Sequence, residues 1–339
     1  MSLPDLWFFL IGVLWVGYLV LEGFDFGVGM LLPVLGRDEP DRRLMLGAIG
    51  PVWDGNEVWL LVAGGATFAA FPIWYATLFS GAYFWLVLAL LALIVRVISF
   101  EWRGKREERR WRGGWQWANT IGSLVAPLLW GVALSSMLAG IPINSKQDFT
   151  GDPADFLSAY TLLGGVALVG LCALHGAVFL ALKTTGDLRE RAGRLAARIA
   201  PLAALLAIGF LAWTLVTASD ANHADLLPGI VPAVVGAVAA LAAVVLTRGE
   251  REGAAFAATA VTIASFALTI FISLYPRVLV SSTSFSDSLT VSNASSGHYT
   301  LTVMTIVAAV VTPVVIGYQA WSYWVFRERL RREPAEHAA

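Results

Sequence analysis

Charge, proline and polar clusters divide this chain into apolar runs of about 20 residues, the helical length that crosses a hydrocarbon core of about 30 Å. Nine such runs lie near residues 6–35, 54–72, 75–100, 118–140, 158–182, 199–218, 228–247, 254–276 and 299–326. The second is short and carries Asp54 and Glu57 at its start. Of the 339 residues, 58% are hydrophobic and 14% charged, more apolar surface than a soluble core of this size could hide. The expected fold is therefore all-α: a polytopic membrane protein of about nine transmembrane helices, forming one domain over residues 1–339. No internal repeat, low-complexity tract or loop long enough for a soluble domain interrupts it.

Lysine and arginine accumulate in cytoplasmic loops, so their placement tests the helix count. The loops after the first, third, fifth and seventh runs, with the C-terminal tail, carry 20 of the 23 basic residues, among them Arg103, Lys105, Arg106, Arg109, Arg110, Arg189 and Arg194. The opposite loops hold Lys146 and Arg277, and Arg96 lies inside a run. Removing any one helix scrambles this alternation, which puts the N-terminus outside and the C-terminus in the cytoplasm. The acidic 148–155 loop and the serine-rich stretch from Ser281 to Ser296 then face outward. The first run lacks the basic flank of a cleavable signal and is too long for one, so it is expected to stay as an anchor. A net charge of −1 offers no electrostatic footprint for nucleic acid.

An ionisable group at the bilayer centre costs about 2.5–3.5 kcal/mol on insertion scales, which makes each such residue a candidate for function. Glu22 and Asp25 sit in Leu21-Glu22-Gly23-Phe24-Asp25-Phe26-Gly27, three positions apart and so on one helix face. With the helix ending near Gly36, Asp25 lies roughly 16 Å deep at 1.5 Å per residue. Two carboxylates this close cannot both stay ionised without a partner, so one is expected to be protonated or paired. Arg96 is the only basic residue inside any run and the expected partner. A structural arginine–carboxylate pair and a role in proton or quinol chemistry both fit this pattern.

Pro51-Val52-Trp53-Asp54-Gly55-Asn56-Glu57-Val58-Trp59 opens the second run. Asp54 as N-cap with Glu57 three residues later would form an acidic capping box, stabilising a helix start by about 1 kcal/mol. Asp54 would equally serve as the mouth of a proton path toward Asp25 and Glu22, and the two roles are compatible. Gly23 and Gly27 form a GxxxG step, and Gly64 with Gly65 suggests a second thin helix surface. Trp53, Trp59, Trp74, Trp102, Trp111, Trp115, Trp117, Trp321 and Trp324 fall at run ends, as an interfacial belt requires.

A membrane protein holding its own b-type haem presents axial ligands, usually His or Met, inside the bilayer. Only His175 is mid-run, while His223, His298 and His337 lie in loops or the tail. A core or helix-contact role is the expectation for His175; ligation of one haem together with a methionine is the competing reading. Cys172 is the only cysteine, which excludes an internal disulfide framework and a thiolate metal cluster.

The stretch Gly23-Phe24-Asp25-Phe26-Gly27-Val28-Gly29-Met30, then Arg42-Arg43, then Trp53-Asp54-Gly55-Asn56-Glu57-Val58-Trp59-Leu60, resembles cytochrome bd oxidase subunit II. Gly64-Gly65-Ala66, Phe68-Ala69-Ala70-Phe71-Pro72, Arg96, Tyr275-Pro276 and Leu301-Thr302-Val303-Met304-Thr305 extend the likeness, which is densest over residues 20–120 and 272–326. The resemblance implies a haem-free, nine-helix subunit of a multi-pass complex in the bacterial cytoplasmic membrane, not catalytic alone. Its partner, subunit I, would carry two haem b groups, haem d and the quinol-oxidation site, and the complex would reduce dioxygen to water with protons drawn from the cytoplasm. Small single-helix accessory subunits and a structural quinone are further companions the resemblance allows. Asp25, Asp54, Trp59 and Arg96 are the positions carried over, with proton transfer assigned first to Asp54 and with Glu22 and Glu57 beside it on the pathway. On the residues alone, a proton-coupled secondary transporter is the alternative, although paired broken helices in two matching halves are missing.

Overall fold

A computed structural model describes residues 2–332. Eleven α-helices run through them: α1 (Leu3–Leu35), α2 (Glu39–Ile49), α3 (Trp53–Ala70), α4 (Pro72–Gly81), α5 (Tyr83–Trp102), α6 (Arg109–Ala139), α7 (Ala159–Lys183), α8 (Gly186–Asn222), α9 (Leu226–Arg248), α10 (Glu252–Leu274) and α11 (His298–Val325). Two short strands, β1 (Arg277–Leu279) and β2 (Leu289–Thr290), pair antiparallel between α10 and α11. Eight helices, α1 and α5 to α11, are long and apolar enough to cross a membrane. The segment expected as the second span is not among them. Asp54, Asn56 and Glu57 occupy the start of α3 and leave an apolar stretch from Val58 to Ala70, about 20 Å of helix.

The run expected over 75–100 is broken in two. Pro72 starts α4, where its missing N–H is not needed, and the chain turns at Ala82 before α5. The loop after α6 docks on this break: Thr77 donates its hydroxyl to the Gln147 carbonyl at 2.7 Å, and the Phe149 ring lies against Gly81. The first basic loop contains a helix, α2, whose start is capped by the Asp38 side chain and whose Met45, Ala48 and Ile49 are buried. The fourth and sixth runs are exceeded by their helices, α6 and α8. α8 begins at Gly186 rather than near 199, because Leu188, Ala192 and Ala196 bury one face of the added turns. His337 lies outside the described residues.

α1 is the central post, packed against α3, α6, α7 and α10. Its approach to α7 depends on glycine. A Cβ at Gly27 would stand 2.0 Å from the Cys172 carbonyl oxygen, and one at Gly176 would meet the Gly27 backbone at 2.4 Å. Gly23 makes ordinary contacts, and Gly64 and Gly65 face open space within this chain rather than a close helix crossing. The tryptophan belt is also only partial. Trp74 is 1% exposed and packs on Phe8 and Phe71, whereas Trp102, Trp321 and Trp324 are exposed in the last turns of their helices and Trp117 is exposed further inside α6.

The basic segments meet at one end of the bundle and are laced together by carboxylates. Arg103 grips Glu39 with two bonds of 2.9 and 2.7 Å, Arg191 reaches Asp41 at 2.7 Å, and Arg332 reaches Asp38 at 2.5 Å. Glu252 joins Arg189 at 2.6 Å and Arg329 at 3.5 Å. Burial works against the Glu39 carboxylate, but Arg103 and then Arg112 and Arg43 overcome it and hold its pKa below the ordinary glutamate value. At the opposite end the 141–156 and 277–296 loops join: Ile141 donates its N–H to Val280, and the Ser281 and Thr283 hydroxyls donate to the Ile143 carbonyl at 3.0 and 2.6 Å. Charge alternation along the chain thus corresponds to two distinct ends of the molecule.

Candidate functional site: a buried charge cluster on α1, α3 and α5

Glu22 and Asp25 lie one turn apart on α1 and are both 0% exposed. A buried carboxylate needs a cation or several donors, and the two acids solve this differently. Arg96, on α5 and itself fully buried, forms an ion pair with Glu22 through Nη1. The same nitrogen donates to Glu57 Oε2 at 3.4 Å, so one guanidinium joins acids from α1 and α3. Phe26 and Phe100 cover its faces at 4.7 and 5.3 Å from their ring centroids. Asp25 is not bonded to Arg96. It accepts a 2.7 Å hydrogen bond from the Asn56 side-chain amide, which also reaches the Leu21 carbonyl at 3.2 Å.

Asn56 is the residue whose importance the sequence hid. Its amide oxygen accepts from Gln319 Nε2 at 3.0 Å and from the Tyr323 hydroxyl at 2.8 Å, so it ties α1, α3 and α11 together. It stood in a quoted motif between two acids, and nothing in the sequence linked it to a helix more than 260 residues away.

Asp54 does not cap α3. The helix starts two residues earlier than a capping box would have it: Val52 is the N-cap, no side chain caps it, and Asp54 falls in the first turn, exposed. There it still favours the positive end of the helix dipole. Glu57 turns inward to Arg96, a full charge, in preference to the backbone N–H a capping box would have given it. Its side chain keeps 17% exposure against 0% for Glu22 and Arg96. Acid groups therefore descend from solvent: Asp54 exposed, Glu57 partly buried one turn on, then Glu22 and Asp25 enclosed. Trp59 supplies packing beside them, its ring filling the space over Gly17 of α1.

Arg96 Nε and Nη2, both Glu22 oxygens, Asp25 Oδ1 and the Tyr18 hydroxyl form no hydrogen bond with the protein that meets ordinary geometry. The cluster thus keeps bonding capacity, which in a polar enclosed site is the condition for holding water.

His175, the sole mid-helix histidine among the described residues, is fully buried. Its Nδ1 is 2.6 Å from the Thr259 hydroxyl, its ring stacks on Phe256 at 4.3 Å, and Phe24 meets it edge-on at 5.8 Å. These contacts account for Nδ1 and the ring faces as a helix-contact role would, and leave Nε2 without a hydrogen-bond partner. Among the described residues no group of three or more His, Cys, Asp or Glu is placed to hold a metal ion.

A family model described as Cytochrome bd terminal oxidase subunit II matches residues 3–326. The chain is 44% identical over 339 residues to a Bacillus subtilis protein named cytochrome bd ubiquinol oxidase subunit 2, covering 98% of each. It is 37% identical over 366 residues to the Escherichia coli K12 protein named cytochrome bd-I ubiquinol oxidase subunit 2, covering 98% of this chain and 96% of that one. Its fold is similar to a chain in the bd oxidase structure from Geobacillus thermodenitrificans, with a TM-score of 0.67 at 18% identity, covering 96% and 99% of the two chains. A match across nearly the whole length, on a bundle whose buried acids lie in the segments that carried the likeness, places this chain in the cytochrome bd terminal oxidase subunit II family.

Proposed function

We propose that this chain is the haem-free subunit of a bacterial cytochrome bd-type quinol oxidase, and that it conducts protons from the cytoplasmic side toward the dioxygen-reducing haem site of subunit I. Two haem b groups, haem d and the quinol site belong to that partner in this reading, since His175 is enclosed by Thr259, Phe256 and Phe24. Reduction of dioxygen to water consumes protons at a buried centre, so a haem-free subunit contributes by bringing them there and by holding the complex together.

The observation that carries the proposal is the graded burial of four acids around one arginine. Asp54 exchanges protons with solvent, Glu57 receives them at the membrane edge, and Glu22 and Asp25 hold them inside. Arg96 fixes the cluster's charge: beside one guanidinium, one carboxylate is kept ionised while its neighbours can carry a proton. Asn56 orients Asp25 and couples it to α11.

The destination follows from the same geometry. α11 is exposed nearly all round, with only Leu301 buried, and is held at its ends by the Trp7 contacts to Leu301 and Thr305 and by Asn56. α3, which packs against α11, is apolar and exposed through Leu61 and Val62, and α5, which supplies Arg96, is exposed through Leu90 and Ile94. Subunit I is assigned to this face, because it is the surface nearest the acid cluster and a proton delivered elsewhere would face lipid.

The test is quinol-driven oxygen consumption by the assembled complex carrying Glu57→Gln or Asp54→Asn. Glu57→Gln is expected to slow turnover about tenfold or more, the scale of a lost proton-transfer group, with haem absorbance per complex unchanged. Asp54→Asn acts in the same direction and more weakly, because solvent can partly replace an exposed group. Full turnover in Glu57→Gln, or haem loss in proportion to the lost rate, would overturn the proton role.

A further inference from the structure

A cavity of about 490 Å³ opens where α7, α8, α9 and α10 meet at the basic end of the bundle, sharing no residue with the acid cluster. α9 and α10 have 23 residues each, about 34 Å, so the turn joining them lies at the surface of the hydrocarbon core. α8 runs on for several further turns to Gly186, and those turns supply the wall that stands above that surface. The cavity therefore straddles the level at which lipid phosphates lie.

Its charges are unevenly committed. Arg189 is paired with Glu252 at 2.6 Å and Arg194 with Glu190 at 3.3 Å. Arg248 and Arg251, on the turn at the mouth, form no ion pair and no side-chain hydrogen bond among the described residues, and both are exposed. Glu250 on the same turn is also unpaired, so four arginines face three glutamates and leave one positive charge in excess. Deeper in, Val178, Leu246 and Ala255 make the wall apolar.

The geometry points to a binding site for the headgroup of an anionic glycerophospholipid. A phosphodiester carries the single negative charge that balances the site, and arginine matches its planar pairs of oxygens. Arg248 and Arg251 hold the phosphate at the mouth, and the glycerol and first acyl carbons lie against Leu246 and Val178. Free inorganic phosphate shares the anion chemistry but leaves the apolar wall uncovered. Basic pockets between membrane helices are a general means of retaining such lipids.

The test uses the assembled complex, stripped of lipid in detergent and followed by native mass spectrometry with added phosphatidylglycerol. The expected result is a retained phosphatidylglycerol adduct on the complex, weakened about thirtyfold in Arg248→Gln/Arg251→Gln, given the known contribution of each arginine near an anionic surface. The haem spectrum and subunit stoichiometry should stay unchanged in that variant. Arg109→Gln/Arg110→Gln, which alters another basic segment, should leave the adduct intact. Equal retention by Arg248→Gln/Arg251→Gln, equal binding of phosphatidylcholine, or displacement of the lipid by millimolar inorganic phosphate would each overturn the site.

Discussion

A single guanidinium decides whether two of the four clustered acids, Glu22 and Glu57, can be buried. Arg96 touches Glu22 and Glu57 and lies under Phe26 and Phe100, so its loss strands Glu22 in an apolar interior. Arg96→Leu is expected to destabilise the subunit by roughly 3–5 kcal/mol, the cost of breaking a buried pair from one side. Glu22→Gln in the same chain should restore part of it, read as the yield and melting temperature of the complex. That Arg96 would find an acid on α1 was legible, because no other basic residue lies within a run. Which acid it would choose was not, since Glu22 and Asp25 differ by one turn and the deciding group, Asn56, reaches Asp25 from a different helix. Asn56→Leu leaves Asp25 without its donor and cuts the tie to α11; the expected outcome is slower oxygen consumption together with weaker association of the complex in detergent.

Helices were read correctly where a long apolar run met charge at both ends, and incorrectly where tertiary contacts moved an end. α4 and α5 form one continuous apolar run in sequence, and the break between them answers to a loop nearly 70 residues later. α2 was hidden in a basic loop because its burial is supplied by only three or four apolar residues. The crossing of α1 and α7 was half legible in its GxxxG step, whose working member is Gly27. Gly27→Ala forces a methyl into the α7 backbone and should destabilise by about 1–3 kcal/mol or more, measured as a lowered melting temperature, whereas Gly209→Ala, in open space on α8, should not. The link between α2 and α5 is pH-dependent. Because the Glu39 pKa is held below its ordinary value, its stabilisation is complete above that value and fades as pH falls through the lowered one. The melting-temperature difference between the wild-type complex and Glu39→Gln should therefore be constant near neutral pH and vanish in acid below the usual carboxylate range.

At the scale of the whole molecule, composition and charge alternation identified a polytopic membrane protein with two distinct ends, and the bundle has both. What they could not supply was the unfinished side. α11 carries the apolarity of a span and almost none of the burial, a state that makes physical sense only in a bilayer or beside a second protein. A haem-bearing partner of similar size should co-purify in equal amount, and its removal should raise hydrogen exchange in α11 before α1. The account as a whole rests on protons passing through the acids around Arg96. Its most direct test is time-resolved proton uptake during a single reaction of the fully reduced complex with dioxygen, comparing wild type with Glu22→Gln. The account predicts electron transfer to dioxygen at the normal initial rate with proton uptake slowed about tenfold or more; uptake at the wild-type rate would contradict it.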